Sequence, residues 1–218
     1  HKAFIFGSTT EVYCPDVEVI PEHQIPFPMS EYASSKMVSG RLVEAYGRAH
    51  QLDYAILRMG NVGGSGSGSP MIYQPRRAPP NLLQACFRVA TGLDDEVVIR
   101  GNKFETRDGT ALRDYVHIED VINVIRNAMN YVLEQRCITC TVGTGVGSTV
   151  LEVIHEYTKV SQVQIPYRYI TDNGTSGGRV TTVRDVRKLG VPTRDLRAIC
   201  QSHWNSQQGI KHEQHQRV

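Results

Sequence analysis

Short apolar runs recur along the chain at 3–7, 54–59, 97–100 and 138–142, with a weaker one at 163–169. The first, apolar at consecutive positions, predicts a strand buried in a parallel sheet, and the others read as strands. Between them apolar residues return at helical spacing over 34–50, 81–91, 118–132, 150–159 and 193–206. Strands and helices alternating in this way predict an α/β protein with a largely parallel sheet. Glycine and serine crowd residues 63–69, and Pro70, Pro75, Pro79 and Pro80 prolong that irregular stretch. A second glycine-rich stretch lies at 172–178, and residues 207–218 are polar and read as a fraying tail. The first apolar run stands directly behind His1, with no cap or turn ahead of it. A buried strand so placed predicts that the chain is the later part of something longer.

Composition narrows the partners. With 40% hydrophobic and 21% charged residues, the 218-residue chain has the make-up of an ordinary soluble globular protein. Its formal charge is only +2, so no net field draws in nucleic acid or an anionic membrane. No apolar run is long enough to span a bilayer, and no secretory leader is visible. Five cysteines, an odd number, give no disulfide framework and predict a reducing, cytoplasmic setting. Cys137-Ile138-Thr139-Cys140 is a lone C-x-x-C, whereas a zinc site needs four ligands. The pair reads as small buried side chains, and no metal is expected.

Candidate chemistry begins at Tyr32-Ala33-Ser34-Ser35-Lys36. Residues i and i+4 share one helix face, so the phenol and the ammonium can enter one cleft. A nearby cation favours a phenolate and makes a tyrosine a usable base. Spacing alone is also that of a solvated helix face. Gly7-Ser8-Thr9-Thr10-Glu11-Val12-Tyr13 follows the first strand. Beyond the carboxyl end of a parallel strand its hydroxyls would face a ligand cleft; capping of the next turn is the other reading.

Several motifs, in order, resemble the extended short-chain dehydrogenase/reductase family: Ser8-Thr9-Thr10-Glu11-Val12-Tyr13, Tyr32-x-x-x-Lys36, and Leu57-Arg58-x-x-Asn61-Val62-x-Gly64. The run from Thr106 through Arg113-Asp114-Tyr115-Val116-His117 to Val121 is similar to the signature of the UDP-glucose 4-epimerase branch, as is the turn at 142–150. The resemblance implies the C-terminal part of a Rossmann-type parallel sheet (1–63 with 116–143), a smaller α/β substrate domain (64–115 with 144–206), and the tail at 207–218. It implies NAD as cofactor, a UDP-sugar as substrate, and a homodimer formed through helices such as 34–50. Tyr32 would be the catalytic base. Lys36 would hold the cofactor's ribose while depressing the tyrosine pKa, with Ser8 also at the cofactor. Thr9 would bond the reacting sugar oxygen, and Asn61, Asn81 and Arg113 would contact the UDP part. An internal pair with Asp108 or Asp114 is the other reading of Arg113. His117 and the turn at 143–147 read as structural.

The chain departs from the pattern in four places. The glycine-rich turn of the first strand, with the acidic residue after the second, is absent, and NAD pyrophosphate is normally held there; weak NAD binding is therefore expected. Met59 and Gly60 stand where the family has bulky aromatics, and the glycine–serine run after Asn61 replaces a richer substrate loop. Thr175-Ser176-Gly177-Gly178 replaces an Arg-x-Gly-Asp element, with Arg179 the nearest substitute. A 4,6-dehydratase is the neighbouring reading, but Thr10 stands where dehydratases place an acidic Asp. A non-catalytic remnant lacking the cofactor site is the third.

Overall fold

The computed structural model describes residues 3–13, 19–20, 25–66, 81–135, 137–171, 182–183 and 189–215. The proline-rich stretch at 70–80 and the elements at 172–180, Arg179 among them, lie outside these residues. In chain order the elements are β1 (Ala3–Thr9), a 3-10 turn (Thr10–Val12), β2 (Val19–Ile20), α1 (Glu31–His50), β3 (Asp53–Met59), β4 (Asn61–Gly63), α2 (Leu82–Ala90) and β5 (Val97–Arg100). There follow β6 (Leu112–His117), α3 (Ile118–Gln135), β7 (Cys137–Val142), β8 (Gly147–Thr149), α4 (Val150–Ser161), β9 (Tyr167–Ile170), β10 (Thr182–Val183) and α5 (Leu196–His215).

The fold is α/β with parallel sheets. Strands β1, β3 and β7 run parallel in that order, with Ser8 beside Arg58 beside Thr141 and Thr9 beside Met59 beside Val142. Alternate side chains of β3 leave opposite faces. Tyr54 and Ile56 meet α1 at Gly47 and Gly40. Ala55 and Leu57 join Val121, Val124, Ala128 and Val132 of α3 in one buried cluster. Each large side chain so buried contributes roughly 1.5–3 kcal/mol. A second cluster gathers Leu83 and Phe87 of α2, Ile99 of β5, Ile154 and Tyr157 of α4, and Ile199 of α5. Strand β6 pairs in parallel with β4 and antiparallel with β8, and β5 pairs in parallel with β9.

Several expectations shift. The first helix starts at Glu31 rather than 34, because the Ser30 hydroxyl accepts the Ala33 N–H at 3.1 Å and caps it. The strand expected at 163–169 begins at Tyr167, after the left-handed Gln162 closes α4. The tail expected from 207 is helical through His215, and Gln207 is buried. The C-x-x-C lies on β7, where residues three apart point to opposite faces; Cys140 is buried but Cys137 is exposed. Among the described residues no helix is long and apolar enough to cross a membrane.

Candidate active site

The carboxyl ends of β1, β3 and β7 lie together, where open parallel sheets bind ligands. At the end of β1, Ser8 and Thr9 are each 8% exposed. The Thr9 hydroxyl accepts the Glu11 N–H at 3.2 Å and so caps the 3-10 turn. That is the capping role read as an alternative from sequence, and it leaves the hydroxyl proton able to donate. The turn ends on Tyr13, whose N–H returns to the Thr10 carbonyl at 3.1 Å.

Tyr32 and Lys36 stand one turn apart at the start of α1. Tyr32 is 52% exposed. The Lys36 ammonium reaches across to the Gly7 carbonyl at 3.0 Å and lies 5.2 Å from the centre of the Phe6 ring. One hydrogen bond therefore ties the Tyr32–Lys36 helix to the strand that carries Ser8 and Thr9.

The neighbouring row brings Tyr13 and Arg58, both in the sequence motifs, together with Thr141, which lies outside them. The Tyr13 hydroxyl sits 2.6 Å from Arg58 Nη1 and 3.2 Å from Thr141 Oγ1, and the guanidinium lies 5.0 Å from the Tyr13 ring centre. Strand register was the missing signal: Arg58 and Thr141 become neighbours only when β3 and β7 pair.

The remaining predicted residues sit further round the fold. Asn61 is exposed on β4, level with Tyr115 of β6. Asn81 caps α2, its Oδ1 accepting the Gln84 N–H at 2.9 Å. Arg113 on β6 donates from Nη1 to the Leu112 carbonyl at 2.9 Å. Burial pushes its pKa down, while Tyr115 and Glu11 push it back up. Asp108 accepts from Thr110 and Thr149, and hydrogen bonds to these groups hold its pKa below the usual range against the opposing effect of burial. Asp114 takes the Thr144 N–H and hydroxyl and the Gly145 N–H at 2.6–2.9 Å, pinning the turn before β8. Among the described residues no hydrogen bond joins Asn61 or Asn81 to Tyr32 or Lys36.

His117, 2% exposed, accepts the Glu119 N–H at Nδ1 (3.1 Å). Its other nitrogen, Nε2, therefore carries the proton toward Ser202 Oγ at 2.8 Å, and burial pushes the ring pKa down. A histidine that donates to a serine hydroxyl is no base for it, so this pair is structural.

Residues 1–137 match the model of the NAD dependent epimerase/dehydratase family. The chain belongs to this family. Among its relatives are a UDP-glucose 4-epimerase of Rhizobium meliloti, 30% identical over 93% of this chain and 63% of the relative, and one of Schizosaccharomyces pombe, 29% identical over 95% and 61%. Among solved structures, the UDP-glucose 4-epimerase of Stenotrophomonas maltophila with bound NAD and formylated UDP-arabinopyranose superposes with a TM-score of 0.89 at 29% identity, covering 97% of this chain and 65% of that one. The Bifidobacterium longum enzyme with NAD+ and UDP gives 0.89 at 25% identity, covering 96% and 64%. The Rossmann-type fold of the epimerase/dehydratase family is thus shared. The chain spans under two thirds of the length of these relatives.

The described residues fit one end of an NAD molecule. Lys36 spends one of three N–H groups on Gly7, which leaves donors for a ribose diol beside Ser8. The pyrophosphate end has no comparable cradle among them. Gly60, Gly63 and Gly66 have the Gly-x-x-Gly-x-x-Gly spacing, but Gly63 ends strand β4, and among the described residues the next helix, α2, begins at Leu82. Such sites hold the phosphates on a helix N-terminus facing the glycines, and the described residues show none directly after them.

Proposed function

We propose that this chain carries the catalytic and substrate-binding residues of an NAD-dependent UDP-hexose 4-epimerase that works through a 4-keto sugar. The observation that carries the reading is the Lys36–Gly7 hydrogen bond, which sets the Tyr32 helix against the buried Ser8–Thr9 end of β1. Tyr32 takes the proton of the sugar 4-hydroxyl and later returns it. Thr9 donates to the same oxygen and steadies its negative charge. Lys36 and Ser8 hold the ribose. NAD held there would supply the hydride chemistry at C4. Asn61, Asn81 and Arg113 bind the UDP part; a guanidinium is suited to the diphosphate by its fork of donors, and Asn81 retains its amide N–H groups for this.

The same proposal places residues 1–63 and 116–143 in the cofactor domain and 64–115 and 144–206 in the substrate domain. It makes the enzyme a homodimer in the cytoplasm, without nucleic-acid or membrane partners. Val38, Leu42 and Tyr46, exposed at four-residue intervals along α1, form the apolar stripe for the dimer contact.

The test joins this chain to the N-terminal third of the Rhizobium meliloti relative and follows UDP-galactose with NAD. UDP-glucose should form, and Tyr32→Phe should abolish it. A 4-keto-6-deoxy product would make the protein a dehydratase. No turnover from a folded chimera that binds NAD would leave the non-catalytic reading.

A further inference from the structure

Beneath α1 lies a cavity of about 170 Å³. Its walls are Met37, Gly40, Arg41 and Glu44 of α1 and Ile56 and Arg58 of β3, with Ser8, Lys36, Val12 and Pro26 completing it. Pockets for nucleotide-sized ligands run to about 300–1,000 Å³. This one is too small for a dinucleotide or a nucleotide sugar and large enough for a small ion with water.

Its charge is lopsided. Lys36, Arg41 and Arg58 contribute three cations, and Glu44 contributes the single carboxylate. Among the described residues none of the three cations forms an ion pair. Lys36 is bonded to a carbonyl, and Arg58 is bonded through Nη1 to the Tyr13 phenol; neither partner brings a negative charge. Arg58 is also held in place, since its guanidinium stacks on the Tyr13 ring and Thr141 fixes the phenol. Lys36 and Arg58 are half-buried cations without a counter-charge, which is costly, and with the exposed Arg41 they lower the free energy of an anion in the cavity. Guanidinium donors match tetrahedral oxyanions in geometry, and the Ser8 hydroxyl adds a neutral donor.

We propose that this cavity is an oxyanion site for inorganic phosphate. Its wall includes Lys36 and Ser8, so it shares two donors with the proposed ribose position.

Calorimetric titration of the 218-residue chain with sodium phosphate, at an ionic strength held constant with sodium chloride, tests this without NAD or UDP-sugar. Its failure is therefore distinct from failure of the epimerase reading. One phosphate per chain is expected, with affinity weakened about tenfold or more by Arg41→Gln. Arg41 is exposed, so this variant should fold. Arg58→Lys should also weaken binding, and circular dichroism will show whether it folds. Phosphate also stabilises proteins generally by exclusion from their surface. A rise in Tm unchanged by Arg41→Gln, or no heat beyond that of chloride, would overturn the proposal.

Discussion

The phenol of Tyr157 lies 2.8 Å from Nδ1 of His203, and both side chains are buried in the cluster built by α2, α4 and α5. Burial alone pushes the His203 pKa down to about 4, and burial with the nearby Cys86 and Cys200 pushes the Tyr157 pKa up, so a neutral imidazole accepts from a neutral phenol. Above the ordinary histidine pKa of about 6.5, both folded and unfolded chains hold a neutral ring and the stabilisation is complete. Between there and about 4 the unfolded chain takes up a proton that the native one refuses. Stability should fall through that window, by about 3 kcal/mol at the lower end. Urea midpoints recorded from pH 7.5 to 4 will show it, and His203→Gln should flatten the slope. His117, shifted in the same direction, adds a smaller part.

Gly60 is required by contact, not by its dihedral angles. A Cβ there would stand 2.7 Å from the Asp114 carbonyl oxygen, while the Gly60 N–H already holds the Val142 carbonyl at 2.8 Å. Gly60→Ala should cost roughly 1–3 kcal/mol by forcing β3 away from β6. Thermal unfolding will measure it, with Gly66→Ala, half-buried but with nothing within 4 Å of a Cβ, as a control.

Under the proposed mechanism Tyr32→Phe removes a general base and keeps the ring. Turnover of the joined enzyme should fall by roughly 10²–10⁴, with UDP binding unchanged. Since Tyr32 is half exposed, unfolding midpoints of the variant should match those of the parent. Loss of UDP binding along with turnover would point to disruption of the cleft instead.

The chain alone should bind NAD only weakly, because under the proposed assignment Lys36 and Ser8 meet only the ribose end, and the described residues offer no helix-backed cradle to the pyrophosphate. Isothermal titration at micromolar NAD should show no saturation. Tight binding there would mean that the glycines at 60–66 hold phosphate without a helix behind them.

The alternation of strands and helices was legible because β1, β3 and β5 carry apolar runs, β7 alternates Ile138, Cys140 and Val142 with threonine, and the helices between them carry stripes. The burial expected of the first strand was not met, because among the described residues β1 lies at the edge of its sheet with Phe4 exposed. Strand β6 was not legible. Its sequence Leu-Arg-Asp-Tyr-Val-His shows two charges and a histidine, and these are tolerated because Asp114 holds the turn at 144–145 and His117 is bonded at both nitrogens. The far end of α5 was hidden too, because 207–215 has no apolar period to read. At the candidate site, the Tyr32–Lys36 spacing was enough to put both residues on one helix. The Lys36–Gly7 link depends on α1 packing against β1, and the Arg58–Tyr13–Thr141 row depends on strand pairing, neither of which residue spacing encodes.

The segment leading into α5 is fastened to α3: Asp120 accepts the Thr193 and Arg194 N–H groups, and Arg194 pairs with both Glu119 and Asp120. A turn further on, Ser202 takes the His117 proton and the Ser65 N–H, while Ile199 and Cys200 beside it sink into the other apolar cluster. One helix and its lead-in thus have a stake in both packing centres, and neither centre can come apart without loosening the other. Heat absorption on unfolding should accordingly appear as a single cooperative peak, with the two clusters melting as one thermodynamic unit.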